Sequence, residues 1–166
     1  MSTMHRNILT EVYGRLDKTT PLKSNCGLLC QARCCQGDDA GMWLLPGERE
    51  LLHGQEGYRF LTEEDGDILL CNNHCQRDMR PFACRIFPLF PLVRLSDEGK
   101  FTIDIIYDPR ASSICPLAEA DYPLRSMFRY LIYHATTYML RDPELAKWWL
   151  EHSSYLEALM DIQSYQ

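Results

Sequence analysis

The segment Asn25–Gln36, NCGLLCQARCCQ, holds four of the eight cysteines of the chain within ten residues. The other four are spread over the next eighty residues. A dense cysteine block followed by returning single cysteines is typical of a chain that folds around a metal. We therefore interpret all eight as candidate metal ligands. They are Cys26, Cys30, Cys34, Cys35, Cys71, Cys75, Cys84 and Cys115.

Length and composition predict one globular domain over residues 1–166, with an ordinary apolar share of 46%. No stretch of eighteen or more apolar residues is present, so we expect no membrane span. The N-terminal residues carry charges and no apolar run, which predicts a cytoplasmic location rather than secretion. Cytoplasmic thiols stay reduced, which favours metal ligands over disulfides. The net charge of −6 argues against a nucleic-acid partner.

Hydrophobic periodicity predicts three longer helices. The first covers Met4 to Asp17, the second covers Tyr122 to Leu140, and the third begins at Asp142-Pro143-Glu144, where Asp is a cap and Pro stands in the first turn. Shorter elements are predicted between them. These are an extended run Met42–Leu45, a helix from Pro46 to Leu52, a hairpin of Tyr58–Thr62 and Asp67–Leu70, and a second hairpin of Leu92–Leu95 and Phe101–Tyr107.

These elements predict an α+β fold. We expect a small, irregular, cysteine-rich metal-binding domain with short β-hairpins, packed against N-terminal and C-terminal helices. Residues 21–117 would form the metal-binding part, and residues 120–163 a supporting helical hairpin. Gly37, Asp38 and Asp39 would close the first cysteine block as a turn.

Zinc and iron–sulfur clusters both take thiolate ligands, usually four. Eight cysteines therefore permit two four-thiolate sites, one cluster with spare cysteines, or a multinuclear site. If Cys34 and Cys35 lie in extended backbone, their side chains point to opposite sides and are not equivalent ligands of one ion. Zinc ribbons carry paired C-x2-C spacings, whereas the short spacings here are x3 or zero, which favours iron–sulfur or a multinuclear site modestly.

Other interpretations of single residues stay open. Cys71, at a predicted strand end, is the cysteine that best fits a core residue, and His74 could be a nitrogen ligand, although loop histidines are more often exposed. Nothing singles out one thiol as a nucleophile. Five arginines lie within five residues of a cysteine and could compensate thiolate charge or simply be surface residues. They are Arg33, Arg77, Arg80, Arg85 and Arg110.

Part of the chain resembles the YkgJ-type cysteine-cluster family, described as a zinc- or iron-chelating domain with a CxxCxxCC signature. The resemblance covers roughly residues 21–117, and the RPxxCRxFP segment is its most specific part; the early spacings here are x3 rather than x2. The residues that carry it are Cys26, Cys30, Cys34-Cys35, the helix start Leu45-Pro46-Gly47-Glu48, the segment Arg80-Pro81-x-x-Cys84-Arg85-x-Phe87-Pro88, and Cys115-Pro116. Flagellin lysine N-methylases carry a similar cluster, and there the implied cofactor is iron–sulfur.

The sequence and the resemblance together predict a metal-binding protein that holds an iron–sulfur cluster, with 4Fe–4S favoured, or zinc. Its role would be electron transfer, metal handling or that of an accessory module. The sequence leaves open whether the protein is an enzyme and favours a protein without catalytic activity. The alternatives are a redox or methylase-like enzyme that uses the cluster, and a zinc-stabilised interaction module. No catalytic residue is assigned. The expected partner is the metal ion or cluster, with no membrane and no nucleic acid; no protein partner is indicated.

Overall fold

The computed structural model describes residues 3–36, 41–64, 66–71, 77–119 and 122–164, without the side chains of residues 3 and 77. These residues form seven α-helices and two antiparallel sheets. The helices are α1 (Thr3–Leu16), α2 (Gly27–Cys30), α3 (Glu48–Leu52), α4 (Phe82–Ile86), α5 (Pro116–Glu119), α6 (Ser126–Met139) and α7 (Pro143–Ser164). The strands are β1 (Gly41–Trp43), β2 (Tyr58–Glu63), β3 (Gly66–Cys71), β4 (Leu89–Leu95) and β5 (Phe101–Tyr107). The α+β class is confirmed.

The three longer helices occur where the periodicity predicts them. α1 buries Ile8, Leu9, Val12 and Leu16 along one face. α6 begins later than predicted, at Ser126. Pro123 disfavours helical backbone at Tyr122, and Arg125 has non-helical backbone, with its N–H donating to the carbonyl of Pro21. α7 begins as predicted. The Oδ1 atom of Asp142 accepts hydrogen bonds from the N–H groups of Glu144 (2.9 Å) and Leu145 (3.1 Å), which caps the helix.

Both predicted hairpins are present. β2 pairs antiparallel with β3, which also pairs with β1, so the first sheet has the order β1-β3-β2. β4 pairs antiparallel with β5 from Leu89–Tyr107 to Leu95–Phe101. β4 therefore begins before the predicted Leu92 and contains Pro91. A two-stranded sheet has only edge strands, and an edge strand tolerates a proline that cannot donate a ladder hydrogen bond.

A shared apolar core joins the terminal helices to the β4–β5 sheet and to α4. Trp149 of α7 packs edge-on against Phe82 of α4, with ring centroids 5.8 Å apart, and contacts Phe90 of β4. A smaller core lies beneath the first sheet, formed by Leu44, Leu52 and Leu69. The helical pair thus supports the cysteine-bearing part mainly through the β4–β5 sheet, and Trp149 adds a contact to α4. In the described ranges, no helix combines the length and the apolar character needed to cross a lipid bilayer.

Candidate metal centre

Five of the described cysteines line one cavity of about 300 Å³. They come from three distant parts of the chain: the block at residues 26–35, helix α4, and the residue before α5. The cavity walls also include the apolar side chains of Leu29, Phe87, Ile114 and Leu117. The five cysteines are Cys26, Cys30, Cys34, Cys84 and Cys115. Long-range folding therefore brings together thiols that are up to ninety residues apart in the sequence.

The first cysteine block is a short helix followed by a left-handed reversal. α2 ends at Cys30, and the next two residues, Gln31 and Ala32, have φ angles of 53° and 55°. Non-glycine residues rarely adopt this region, at a cost of roughly 1–2 kcal/mol each. Gly27 lies within the helix. The reversal at Gln31 and Ala32 turns Cys34 toward the cavity that Cys26 and Cys30 line.

The adjacent cysteines Cys34 and Cys35 do not lie in extended backbone. They belong to a 3₁₀ turn, Arg33–Cys35, and their Sγ atoms lie 3.9 Å apart. The premise that their side chains point to opposite sides is therefore wrong. Their environments still differ: Cys34 is exposed and lines the cavity, whereas Cys35 is buried and is not among the described residues of its wall.

The helix that carries Cys84 is held by a buried carboxylate. Glu48 accepts hydrogen bonds from the N–H of Phe82 (2.6 Å), at the start of α4, and from the N–H of Leu45 (2.7 Å). The hydroxyl of Tyr13 donates a third. The Pro46-Gly47 turn precedes the carboxylate, and Gly47 adopts a φ of 82°, which favours glycine. Glu48 thus fixes the N-terminus of α4 and, through it, the position of Cys84.

Burial dominates the electrostatics of this carboxylate. It raises the pKa of Glu48 to about 7, against the lowering effect of the hydrogen bonds from Tyr13, Phe82 and Leu45 and of the Arg85 charge. Burial also raises the pKa of Tyr13 well above its usual value, and the negative charges of Glu48 and ionised Cys84 add to this. Cys84 therefore lies close to Tyr13.

Arg85 fixes the loop that leads into α4. Its buried guanidinium donates to the carbonyl oxygens of Asp78 (2.5 Å) and Arg80 (2.7 Å) and contacts the Asp17 carboxylate at 3.3 Å. It also lies over the Tyr13 ring, 4.4 Å from the centroid. A planar guanidinium suits such multiple acceptors in fixed directions. Arg85 therefore holds backbone in place rather than lining the cysteine cavity.

Cys115 stands at the entrance of α5. Its N–H donates to the carbonyl of Ala111 (2.8 Å), and its own carbonyl accepts from Ala118 (2.9 Å). Burial raises the pKa of the Cys115 thiol; the N–H groups of Leu117 and Ala118 oppose that shift, and the negative charge of Cys30 adds to it. The two thiols thus interact across the cavity. A bound cation would reverse this repulsion, because metal coordination favours the thiolate form.

One arginine of the predicted set lies at the cavity. Arg80 is among its lining residues, so its charge can compensate thiolates there. Arg110 instead pairs with Asp108 at 2.6 Å and lies over the Trp43 ring. Arg33 is exposed, and the side chain of Arg77 lies outside the described part of the chain. Among the described arginines of the predicted set, Arg80 is therefore the one placed to compensate the charge of cavity thiolates.

The remaining predicted ligands are placed differently. Cys71 ends β3 opposite Tyr58 and packs against the smaller core of Leu44, Leu52 and Leu69, away from the cavity wall. This position agrees with the core interpretation of Cys71. Cys75, His74 and the predicted turn at residues 37–39 lie outside the described residues.

No protein-family model, curated protein or solved structure matches this chain. The resemblance to the cysteine-cluster family therefore stays a prediction from the residues quoted for it. The structure does explain why two parts of that pattern occur together: Glu48 of the Leu-Pro-Gly-Glu turn binds the backbone of Phe82, in the segment that carries Cys84.

The donor set of the cavity fits a thiolate-bound metal. Thiolates are the ligands of iron–sulfur clusters and of structural zinc, and the five cysteines exceed the usual four. The supporting residues Tyr13 and Glu48 were not predicted. Tyr13 lies on the apolar face of α1, where a buried hydroxyl requires a partner. For Glu48, which the sequence suggests is simply an exposed first-turn acid, no local signal indicates burial.

Proposed function

We propose that this chain binds a metal through the cysteines of the cavity, and that the metal is held as an iron–sulfur cluster. The observation that carries the proposal is the convergence of Cys30, Cys84 and Cys115, from three separate segments, on one cavity with Cys26 and Cys34. A cytoplasmic location, where thiols remain reduced, is part of the proposal. The resemblance to the cysteine-cluster family supports the same assignment.

The arrangement favours a cluster over a single ion. One zinc ion binds four thiolates at about 2.3 Å, which brings their sulfur atoms to within roughly 4 Å of one another. Here five cysteines surround a cavity of about 300 Å³. Zinc is kept as the alternative metal, because thiolates are also the ligands of structural zinc.

The surroundings of the cavity suggest how such a centre would be used. Cys34 is exposed, and the neighbouring side chains of Leu28 and Leu29 are also largely exposed. A centre near the surface can exchange electrons or metal with a partner, which supports electron transfer, metal handling or an accessory role. When bound, an iron–sulfur cluster would supply one-electron redox chemistry. The cysteines would hold it, and Arg80 would offset their charge.

Anaerobic purification followed by iron, zinc and labile-sulfide analysis tests the proposal. We expect a coloured protein that contains iron and sulfide. Cys115→Ser should lose most of the metal, whereas Cys71→Ser, which removes a cysteine outside the cavity wall, should retain it. Zinc without sulfide in the parent would replace the cluster with the zinc alternative. A parent with no bound metal, or equal metal in both variants, would show that the cavity is not the metal centre.

A further inference from the structure

A second group of potential metal ligands lies at the start of α1, among residues that the cysteine cavity does not include. The His5 side chain is buried, with the residue only 1% exposed. Its Nε2 atom lies 2.7 Å from the carbonyl oxygen of Pro46. Its Nδ1 atom lies 3.3 Å from Asp142 Oδ2 and 3.6 Å from Glu144 Oε2. The three ligand atoms all lie within 4.8 Å of one another.

The contact to Pro46 determines which ring nitrogen of His5 faces the two carboxylates. The Pro46 carbonyl can only accept, so Nε2 of His5 carries the hydrogen of that contact. In the neutral ring, Nδ1 then presents a lone pair toward two carboxylates. The imidazole nitrogen and the two carboxylates thus present three potential ligand atoms to one another, and a proton or a cation between them would be stabilised.

We propose that His5, Asp142 and Glu144 bind a divalent transition-metal ion at a site separate from the cysteine cavity. Imidazole and carboxylate ligands suit zinc and manganese. With bonds of about 2.0–2.1 Å to a four-coordinate ion, neighbouring ligand atoms lie about 3.3–3.4 Å apart. The observed separation of 3.3 Å between His5 Nδ1 and Asp142 Oδ2 matches this spacing, and the separation of 3.6 Å to Glu144 Oε2 is slightly longer.

The outer contacts of the site are those that metal ligands commonly have. A metal-binding histidine usually donates its second ring N–H to a carbonyl or carboxylate, as His5 does to Pro46. Oδ1 of Asp142 is already occupied by the N–H groups of Glu144 and Leu145, so Oδ2 is the oxygen that faces the site. The N-terminus of α7 carries the equivalent of about half a positive charge, which repels a cation. The two negative charges of Asp142 and Glu144 exceed this repulsion.

The position of the site suggests a structural role for the ion. It also leaves one coordination position open to solvent. It joins the start of α1 to the turn before α7, and through Pro46 to the turn that carries Glu48. The side chain of Glu144 is 68% exposed, so the site opens to solvent on that side. Water or a small anion could complete the coordination there. A bound ion would stabilise the folded chain by mass action, since it requires all three segments in place.

Manganese titration tests this site independently of the cysteines, because soft thiolates do not favour that ion. The full-length parent, Glu144→Gln and Glu151→Gln would be titrated with Mn²⁺, with free ion counted by electron paramagnetic resonance. Glu151 is an exposed acid on the same helix and serves as the matched control. We expect one bound ion in the parent and in Glu151→Gln, and at least about tenfold weaker binding in Glu144→Gln.

Thermal unfolding in the same samples provides the second readout. Mn²⁺ should raise the unfolding temperature of the parent and of Glu151→Gln and should have little effect on Glu144→Gln. Because Glu144 is exposed, its replacement should not prevent folding. A parent that binds no Mn²⁺ at millimolar concentration would reduce the group to an ion pair only. Equal affinity in the two variants would also overturn the proposal.

Discussion

The carboxylate of Glu48 accepts a hydrogen bond of 2.6 Å from the backbone N–H of Phe82, thirty-four residues away. This contact joins the first residue of α3 to the first residue of α4, two positions before Cys84. Tyr13 of α1 donates to the same carboxylate. Three segments therefore meet at the buried carboxylate of Glu48. These contacts fix the position of Cys84 in the cavity.

The charge state of Glu48 should make stability depend on pH. Because folding raises the pKa of Glu48 from 4.5 to about 7, the contribution of this group to the free energy of unfolding is complete below pH 4.5 and is lost as pH rises through 7. This contribution is roughly 3 kcal/mol. Urea unfolding between pH 5 and 8 should show this loss in the parent. Glu48→Gln should flatten it, whereas Glu50→Gln, an exposed neighbour, should keep it. The same slope in all three proteins would assign the dependence to other groups.

Removal of the Tyr13 hydroxyl should increase the cost of ionising Glu48. The hydroxyl donates to the carboxylate and lowers its pKa, so Tyr13→Phe should raise that pKa further. We expect a destabilisation of about 1.5–3 kcal/mol at pH 8, where the carboxylate is charged, and a smaller one at pH 5. Tyr130→Phe, at an exposed tyrosine of α6, is the control. A Tyr13→Phe effect that is equal at both pH values would contradict the proposed hydrogen bond to a charged acceptor.

Arg85→Lys should destabilise the loop before α4 although charge is preserved. A lysine ammonium cannot match the fixed directions of the contacts to Asp78, Arg80 and Asp17. A buried carbonyl left without its donor costs about 1–3 kcal/mol, and we expect a loss of that size in urea unfolding. Arg94→Lys changes an exposed arginine and should have little effect. Metal content measured on the same samples should fall in Arg85→Lys alone.

Metal removal should loosen the cysteine-bearing part more than the terminal helices. The cavity cysteines join segments from Cys26 to Cys115, and a structural metal can supply roughly 10–16 kcal/mol of folding free energy. Limited proteolysis under reducing conditions should therefore cut Cys84→Ser first between Asn25 and Cys115. Fragments that contain α6 and α7 should persist, since those helices share a large apolar core. Cleavage spread evenly along the chain would mean that metal and local stability are not coupled.

The elements with a clear period were predictable from sequence, and the short ones were not. α1 and the Asp142 cap of α7 follow from apolar spacing and cap chemistry. α4 has only five residues between Pro81 and Phe87, too few to show a helical period. The turn at Gln31 and Ala32 contains no glycine or asparagine, the residues that indicate left-handed backbone.

Five of the eight cysteines predicted as metal ligands line one cavity, and their role as ligands stays a prediction. The supporting contacts were beyond sequence reasoning, because Glu48, Phe82 and Tyr13 meet only through long-range folding. The same applies to His5, whose partners Asp142 and Glu144 lie at the other end of the chain. Cysteine spacing indicates which kind of ligand a site would contain. The residues that orient those ligands come together only through tertiary contacts, which the spacing does not reveal.

X-ray absorption at the edge of the metal that copurifies tests most directly whether cysteines hold it. The Glu144→Gln protein, purified anaerobically, should be used so that the second proposed site does not contribute. Sulfur neighbours alone in the first shell, at about 2.3 Å from the metal, are the predicted result. A first shell of nitrogen and oxygen atoms without sulfur would contradict the assignment of the cavity as a metal centre.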